Sequence, residues 1–261
     1  MLIYDIKNLK FSYNSNIDNY KTIFNNFNLE IEEGHIYSLL GINGAGKSTL
    51  FYILLNIIKN YNGDILFMGD NIKKLSHKYL ATNIGYVPQN PKLSFDYTAY
   101  EYISMGLASK TKLFTDLSKN DYKLVDDVFD KMDINHLKNK YIYEMSGGEK
   151  QEVVIARSIV ANPKIVLFDE PTTHLDIANQ YKVLNIIKEL NKSGYTILLS
   201  THDPNHVSYL KGKIIILDNK GNNLSDDYDN LFNENILSNI YNTELVVEYL
   251  DKCDKKICFI K

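Results

Sequence analysis

The sequence predicts an α/β fold in which most strands of the central sheet run parallel. Short apolar runs typical of buried strands recur along the chain, and segments with helical spacing lie between them. This alternation stops between about residues 91 and 161, where helical spacing alone is recognisable, so a helical insertion is predicted there. The 261 residues are enough for one large domain or two small ones.

The first part of the chain carries most of the strand signals. Residues 3–13 and 23–31 alternate apolar and polar side chains, as half-buried strands do, and the stretch 14–19 between them has the Asn and Ser content of a turn. HIYSLL (35–40) is an apolar run that enters a glycine-rich segment, which is typical of a buried strand followed by a loop. The other elements predicted here are a buried helix at 48–60 and strands at 63–70 and 83–89.

Strands and helices alternate again after residue 161. KIVLFDE (164–170) and YTILLST (195–201) are predicted strands, and a helix at 177–191 lies between them in the sequence. The remaining predictions are helices at 98–110 and 121–134, a short helix from residue 204, a strand at 213–218, a turn at 218–222, a helix near 230–241 and a strand at 243–250. Helices are therefore expected on both faces of the sheet.

The composition excludes several classes of protein. A net charge of −3 and a pI of about 6.1 do not indicate a nucleic-acid-binding protein. The longest apolar run, Leu50–Ile58, is far shorter than the roughly 20 residues of a transmembrane helix, and the N-terminus lacks the pattern of a signal peptide. We therefore expect a soluble intracellular protein in which Cys253 and Cys258 are free thiols.

GINGAGKST (41–49) fits the phosphate-binding pattern G-x-x-x-x-G-K-[ST]. A predicted strand precedes the motif and a predicted helix follows it, so a chance glycine-rich turn is the weaker interpretation. Glycines let backbone N–H groups turn towards phosphate oxygens, and the N-terminus of the helix adds donors and a positive dipole end. Lys47 is expected to bind the β- and γ-phosphates, and the Ser48 hydroxyl suits a Mg²⁺ ligand.

Two acidic residues follow the predicted strand at 164–170. The carboxyl end of a buried parallel strand opens towards the ligand crevice. Asp169 is therefore expected to hold Mg²⁺, directly or through water, and Glu170 to polarise the water that attacks the phosphate. Apolar runs that end in acids are common by themselves, but the upstream phosphate loop makes this interpretation specific.

Together these residues resemble the ATP-binding subunits of ABC transporters. Five further segments match that family in order, namely Tyr13, Gln89 in GYVPQ, MSGGEKQ (145–151), THLD (173–176) and His202 in STHD. The resemblance runs from about residue 2 to 218 and implies the fold of an ABC ATPase cassette, which has a P-loop NTPase core, an N-terminal antiparallel β part and an inserted helical subdomain. The implied parts are core at 1–90 and 162–218, helical subdomain at 91–161 and a C-terminal extension at 219–261.

The resemblance implies a role for each matched residue. Glu170, His202 and Gln89 would form the catalytic group. The residues implied to hold Mg²⁺ are Ser48, Gln89 and Asp169. The residues implied to bind ATP are Tyr13, Asn43, Gly44, Ala45, Gly46, Lys47, Ser48, Thr49, Ser146, Gly147, Gly148 and Asp176. The chain departs from the common family pattern in reading MSGGE for LSGGQ, and in having His174 for Ala and Ile42 for Pro.

The signature segment also has a purely structural interpretation. Ser146 is a plausible helix N-cap, and Glu149 stands three residues later as in a capping box. Two glycines in a first helical turn nevertheless destabilise the helix, which makes sense if the phosphate of another chain must approach closely.

A single arginine restricts the mechanism, because Arg157 is the only one among the 29 Lys and Arg residues. It lies ten residues beyond Gly147, about 15 Å along a helix, which is too far to contact the same phosphate. The positive charge that an arginine finger would supply is therefore expected from Lys47, Mg²⁺ and a signature helix presented by a partner. This agrees with the head-to-tail, ATP-dependent homodimer that the resemblance implies.

The expected partners are integral-membrane permease subunits and, through them, a solute-binding protein, with the chain at the cytoplasmic face of the membrane and no nucleic acid involved. Residues 94–106 match the part of the family that meets the permease, although a packed helix face explains their aromatic content equally well. Four segments taken together resemble the importer group for iron-siderophore, haem, cobalamin and molybdate, namely MG (105–106), SGGE (146–149), LDIANQ (175–180) and HDPNHV (202–207). Another ABC importer or exporter, or a soluble non-transport ABC ATPase, remains the alternative.

Overall fold

A computed structural model describes residues 1–13, 21–91, 96–110, 117–218 and 221–261. The chain folds into two compact units, of which the first joins Met1–Leu75 to Thr196–Lys261 and the second is Ser76–Tyr195. The four-part division expected from the sequence stays a prediction. The predicted turn at 14–19 lies outside the described residues, as does part of the turn at 218–222.

Every predicted strand and helix has a counterpart among the observed elements. The first unit opens with β1 (Leu2–Tyr13), β2 (Lys21–Glu32), β3 (Ile36–Leu40), α1 (Lys47–Leu54), β4 (Asn62–Phe67) and β5 (Asp70–Asn71). The second contains α2 (His77–Asn83), β6 (Ile84–Val87), α3 (Ala99–Ser104), α4 (Lys119–Lys131), α5 (Gly147–Ile159), β7 (Ile165–Asp169) and α6 (Ile177–Lys192). The first unit then continues with β8 (Thr196–Thr201), α7 (Pro204–Leu210), β9 (Lys213–Leu217), β10 (Asn223–Asp226), α8 (Tyr228–Leu231), α9 (Glu234–Tyr241), β11 (Leu245–Leu250) and β12 (Lys255–Ile260).

The first unit combines an antiparallel and a mainly parallel sheet. The antiparallel sheet has the order β2-β1-β4-β5. In the other sheet β3 runs parallel to both β8 and β9, and β10 is added antiparallel to β9. All residues of β3 and β8 are buried, which explains why their sequences are continuous apolar runs and not alternating ones.

The second unit holds the parallel pair β6 and β7 and the helices of the predicted insertion. Helix α5 packs closely against α3 and the 3₁₀ turn that follows it, since a Cβ at Gly106 would lie 2.4 Å from the carbonyl oxygen of Arg157. The α/β class, the parallel strands, the N-terminal antiparallel part and the helical segment are thus confirmed.

The helix predicted at 48–60 is shorter than expected, because α1 ends at Leu54. Asn56 adopts a left-handed backbone with φ of 56°, and its buried side chain donates to the carbonyl oxygen of Ile72 at 3.1 Å. The N–H of Ile57 bonds back to the carbonyl oxygen of Tyr52, which closes the end of the helix. The apolar run therefore continues past the helix and is no guide to its end.

The C-terminal extension forms β10, α8 and α9 and the antiparallel hairpin of β11 and β12. Its side chains join those of the first unit in one cluster, which we call the C-terminal core. The buried members are Leu40, Val207, Ile214, Ile216, Tyr228, Leu231, Phe232, Leu237 and Cys258. Within the ranges that the structure describes, no helix has both the length and the apolar character needed to cross a membrane.

Candidate functional site

Two predicted site segments leave the same edge of the parallel sheet in the first unit. The last residue of β3, Leu40, is paired with the last residue of β8, Thr201. The glycine-rich loop begins at the next residue of one strand, and His202 is the next residue of the other. Because the carboxyl ends of adjacent parallel strands open into one crevice, the structure brings the loop and His202 together.

The backbone of the loop requires glycine at position 46. Gly46 has a φ of 107°, and a Cβ there would lie 2.5 Å from the Cγ2 atom of Ile23. Gly44 is also left-handed, with a φ of 80°. Helix α1 starts directly after Gly46 without a side-chain cap, so its N-terminal amides point into the loop and suit an anionic ligand.

Lys47 folds back over this loop. Its Nζ atom donates to the carbonyl oxygens of Gly41 at 2.7 Å and Ile42 at 3.3 Å, and the side chain is buried. The ammonium group thus lies inside the turn that the loop makes, where a phosphate would be cradled. Asn43 and Gly44 at the tip are exposed, Ala45 is buried and Ser48 is half-buried.

Tyr13 lies beside the start of α1. Its hydroxyl is 3.2 Å from that of Thr49, and its ring packs edge-on against Phe11 with a centroid distance of 4.8 Å. The residue is still 45% exposed, so the ring keeps an open surface. Stacking on a base needs such a surface close to the phosphate loop.

Two histidines follow β8, and they differ in exposure. His202 is exposed, whereas His206 is buried and lies 3.3 Å from the Thr201 hydroxyl. Burial lowers the pKa of His206, with Asp203 opposing the shift. His202 is therefore the residue of this pair that can reach a ligand in the crevice.

The second unit gathers another group of predicted residues at one edge of β6 and β7. Val87 is paired with Phe168, so Asp169 and the segment leading to Gln89 leave the two strands side by side. Asp169 is buried, whereas Gln89 is exposed. The hydroxyl of Tyr86 donates to the Asp169 carboxylate at 3.5 Å, a contact that no sequence motif indicates.

Glu170 sits in a strained turn directly after β7. Its φ is 46°, which is unusual for a residue with a side chain, and it is buried. The Thr173 hydroxyl lies 3.4 Å from the carboxylate, and the Thr173 N–H donates to the Glu170 carbonyl oxygen at 3.2 Å. Strain of this kind is typical of functional sites. Thr173 belongs to the THLD segment singled out from the sequence, but its contact with Glu170 is seen only in the structure.

The signature segment starts α5 with a complete capping box. Ser146 is the N-cap, its side chain accepts from the Glu149 N–H at 3.3 Å, and the Glu149 carboxylate accepts from the Ser146 N–H at 2.7 Å. Lys140 adds an ion pair to this carboxylate at 3.0 Å. The Ser146 N–H, followed by Lys140, lowers the pKa of Glu149 to about 2. The structural role expected of Ser146 is confirmed.

The two signature glycines have different surroundings. A Cβ at Gly148 would lie 2.3 Å from the Oδ1 atom of Asn179, whereas the nearest atom to a Cβ at Gly147 would be 3.8 Å away. Asp176 caps α6 and holds this Asn179 through two hydrogen bonds, of 2.8 Å to its N–H and 2.7 Å to its side-chain amide. The first of these bonds is also the main cause of the lowered pKa of Asp176. The close approach of Asn179 explains why residue 148 is a glycine, whereas a Cβ at Gly147 would make only an ordinary van der Waals contact with Leu175.

The single arginine lines a groove of the second unit. Arg157 donates to the Tyr102 hydroxyl at 3.1 Å and lies over the ring of that residue. The groove has a volume of about 380 Å³, and Tyr86, Pro88 and Pro91 also line it. Residues 94 and 95 of the expected permease-contacting segment lie outside the described residues; Tyr102 is packed, and Tyr97 is exposed.

Comparison with known proteins gives consistent results. The family model described as ABC transporter matches residues 24–173. An ABC transporter ATP-binding protein of Haemophilus influenzae is 34% identical, over 96% of this chain and 94% of its own length. The molybdate import ATP-binding protein MolC of that organism is 31% identical over 88% of this chain and 85% of its own length. The iron(3+)-hydroxamate import ATP-binding protein FhuC of Bacillus subtilis is 32% identical over 76% and 74%.

Solved structures with this fold include a transporter described as metal-chelate type in an inward-facing conformation. It superposes with a TM-score of 0.86 at 27% identity, over 100% of this chain and 97% of that one. A dimeric bacterial ABC transporter cassette has a TM-score of 0.73 at 28% identity, over 86% of this chain and 98% of that one.

Proposed function

Because the chain belongs to the ABC transporter family, we propose that it hydrolyses ATP to power import through separate permease subunits at the cytoplasmic face of the membrane. The observation that carries this proposal is the pairing of Leu40 with Thr201, which sets the phosphate loop beside His202. One segment is proposed to bind the phosphates, and the other supplies a side chain that can contact the γ-phosphate, which are two of the parts that a phosphoryl-transfer site needs.

ATP binding begins with the loop of residues 41–49. The N-terminal amides of α1 and the Lys47 ammonium bind the phosphates, for which Lys47 exchanges its contacts with Gly41 and Ile42 for phosphate oxygens. Tyr13 offers its exposed face to the adenine ring. Asn43, Gly44, Ala45, Gly46, Ser48 and Thr49 complete the ATP contacts of this loop.

Mg²⁺ suits the donors that the sequence offers, since the Ser48 hydroxyl, the Asp169 carboxylate and the Gln89 amide all carry hard oxygen atoms. Asp169 is buried and offers the carboxylate oxygens that such an ion prefers. When bound, the ion would neutralise charge on the β- and γ-phosphates. Glu170 then accepts a proton from the attacking water, and His202 contacts the γ-phosphate.

We further propose that two copies of the chain face each other head to tail, so that Ser146, Gly147 and Gly148 of each contact the ATP of the other. The room for a Cβ at Gly147 supports this. So does the placement of Arg157, whose guanidinium donates to the Tyr102 hydroxyl and not to the start of α5. Asp176 acts indirectly, because it holds the Asn179 that packs on Gly148. The dimeric cassette among the similar structures is consistent with the arrangement.

The permease is proposed to contact the groove around Tyr102 and Arg157. Tyr97, an exposed aromatic residue of the segment 94–106, is proposed to add to the contact. The solute is proposed to be a metal chelate or an oxyanion delivered by a solute-binding protein. MolC and FhuC, which are named for molybdate and iron(3+)-hydroxamate import, support that class. Purification from native membranes, followed by identification of the co-purifying permease, tests it.

The variant Glu170→Gln tests the hydrolytic role. It should bind ATP as the wild type does, turn over at least about 100-fold more slowly, because a general base contributes 10²–10⁴-fold, and form a dimer with MgATP on size-exclusion chromatography. Glu189→Gln, at an exposed position of α6, is the matched control and should keep normal turnover. Normal steady-state hydrolysis by Glu170→Gln would contradict the assignment of the base.

A further inference from the structure

The loop that carries His202 is attached to the C-terminal extension by a short hydrogen bond. The hydroxyl of Tyr241, the last residue of α9, donates to the main-chain carbonyl oxygen of His202 at 2.6 Å. The Tyr241 ring packs against the C-terminal core, so its position is set by apolar contacts. The bond fixes the backbone of His202 while its side chain stays exposed.

The helix that follows His202 is attached to the same extension. The side-chain amide of Asn205 donates to the carbonyl oxygen of Cys258 at 3.0 Å, and the Cys258 N–H donates back to its Oδ1 atom at 2.9 Å. One turn further along α7, the Ser208 hydroxyl donates to the carbonyl oxygen of Lys256. Two side chains of α7 thus engage alternate residues of β12, which fixes the helix along that strand.

The C-terminal core links the extension to both loops of the candidate site in the first unit. Leu40, which precedes the phosphate loop, and Val207 of α7 are both fully buried members of it. Phe232 and Leu237 are contributed by the extension itself. Cores of native density transmit displacement, so the position of the extension bears directly on both loops.

We propose that Tyr241 is a positioning residue for His202, and that the C-terminal extension holds the loop of this histidine in the conformation used for hydrolysis. The proposal rests on the proposed role of His202. It gives residues 221–261 a function, although they lie beyond the part of the chain that the family model matches. A bond to the main chain directs the Cα–Cβ vector of His202 without touching the imidazole.

The variant Tyr241→Phe removes the hydroxyl alone and tests this role. We expect kcat for ATP hydrolysis by the full chain to fall about three- to tenfold, the range that one net hydrogen bond corresponds to, while KM stays within about twofold. Tyr249→Phe is the matched control, since its hydroxyl bonds Asp254 within the hairpin region and not His202. Its kcat should change by less than about twofold, and both variants should keep the melting temperature of the wild type within a few degrees.

A double-mutant cycle separates positioning from general stabilisation. If Tyr241 acts through His202, adding Tyr241→Phe to His202→Ala should not lower the residual single-turnover rate further. An equal fall in both backgrounds would overturn the proposal, and so would a Tyr241→Phe variant with normal kcat beside an impaired His202→Ala.

The failure of the proposed function has a different signature. Normal turnover by His202→Ala would remove the role of His202 itself, whatever Tyr241→Phe does. Slow turnover by His202→Ala supports the proposed role of His202. A loss of kcat in Tyr241→Phe that is absent from Tyr249→Phe supports, in addition, the positioning role of Tyr241.

Discussion

Two helices of this protein begin at glycine-rich motifs, but their first turns are built differently. At α1 no side chain caps the helix, and the Lys47 ammonium contacts carbonyl oxygens of its own loop. At α5 the N-terminus is capped by Ser146 and Glu149, with Lys140 beside them. The start of the first helix has no side-chain cap, whereas the start of the second is held by its own side chains.

This difference in capping indicates how strongly each helix N-terminus would bind a phosphate. Amides of α1 that no side chain caps gain hydrogen bonds when an anion binds, so affinity for nucleotide should reside mainly there. The capping box of α5 already uses the Glu149 N–H, so this helix offers fewer free donors and a rigid start. We therefore expect the loop of residues 41–49 to determine ATP binding and the signature helix to affect turnover.

The largest expected effect is that of Gly46→Ala. The added Cβ meets Ile23, and alanine is strained at a φ of 107°, so the loop must change shape and ATP affinity should fall at least about 100-fold. Gly69→Ala is the control, because Gly69 also has a positive φ, of 90°, but no atom of the described residues lies within 4 Å of its Cβ position. That variant should lose some stability and keep ATP binding. Equal binding losses in an ATP titration of the two variants would contradict the argument.

The next effect in size comes from the signature glycines, which can be compared directly. Gly148→Ala would displace Asn179 and lower the free energy of unfolding by about 1–3 kcal/mol, the usual cost of overpacking. Gly147→Ala has room, and should raise helix stability slightly because alanine is the better helix former.

Gly147→Ala should lower the rate of ATP turnover although it raises helix stability. If a phosphate of the partner copy approaches Gly147, the methyl group should lower kcat about tenfold or more without loss of ATP binding by the loop. Chemical unfolding and ATPase assays on both variants make the comparison. A Gly147→Ala variant with unchanged kcat would show that this glycine serves the helix alone.

The sequence predicts the elements well because the strands around the site are continuous apolar runs and the helices have apolar side chains at helical spacing. It fails at the end of α1, since the apolar residues after Leu54 give no sign that the buried Asn56 side chain bonds Ile72. It also misses the contact of Thr173 with Glu170 and the contact of Tyr241 with His202. These contacts join residues through turns and long separations, whereas the motifs are local patterns.

The smallest expected effect concerns Glu149, whose side chain could be replaced by the Gln of the common family signature. Glu149→Gln keeps a group that can accept from the Ser146 N–H but loses the ion pair with Lys140, so the unfolding free energy at pH 7 should fall by about 0.5 kcal/mol. Binding of ATP should not change, because the donors of α1 are untouched.

The pH dependence of that difference identifies its cause. The pKa of Glu149 is lowered from 4.5 to about 2, so its carboxylate contributes stability above about pH 4.5, and this contribution is lost as pH falls towards 2. The gap between the wild type and Glu149→Gln in denaturant unfolding should therefore be full at pH 7 and shrink below pH 4.5. Lys140→Gln removes the partner of the ion pair but keeps the Glu149 carboxylate and its hydrogen bond from the Ser146 N–H. It should therefore lower the unfolding free energy at pH 7 by less than Glu149→Gln does. A gap that stays constant from pH 7 to pH 3 would mean that the neutral hydrogen bonds, and not the charge, hold the start of α5.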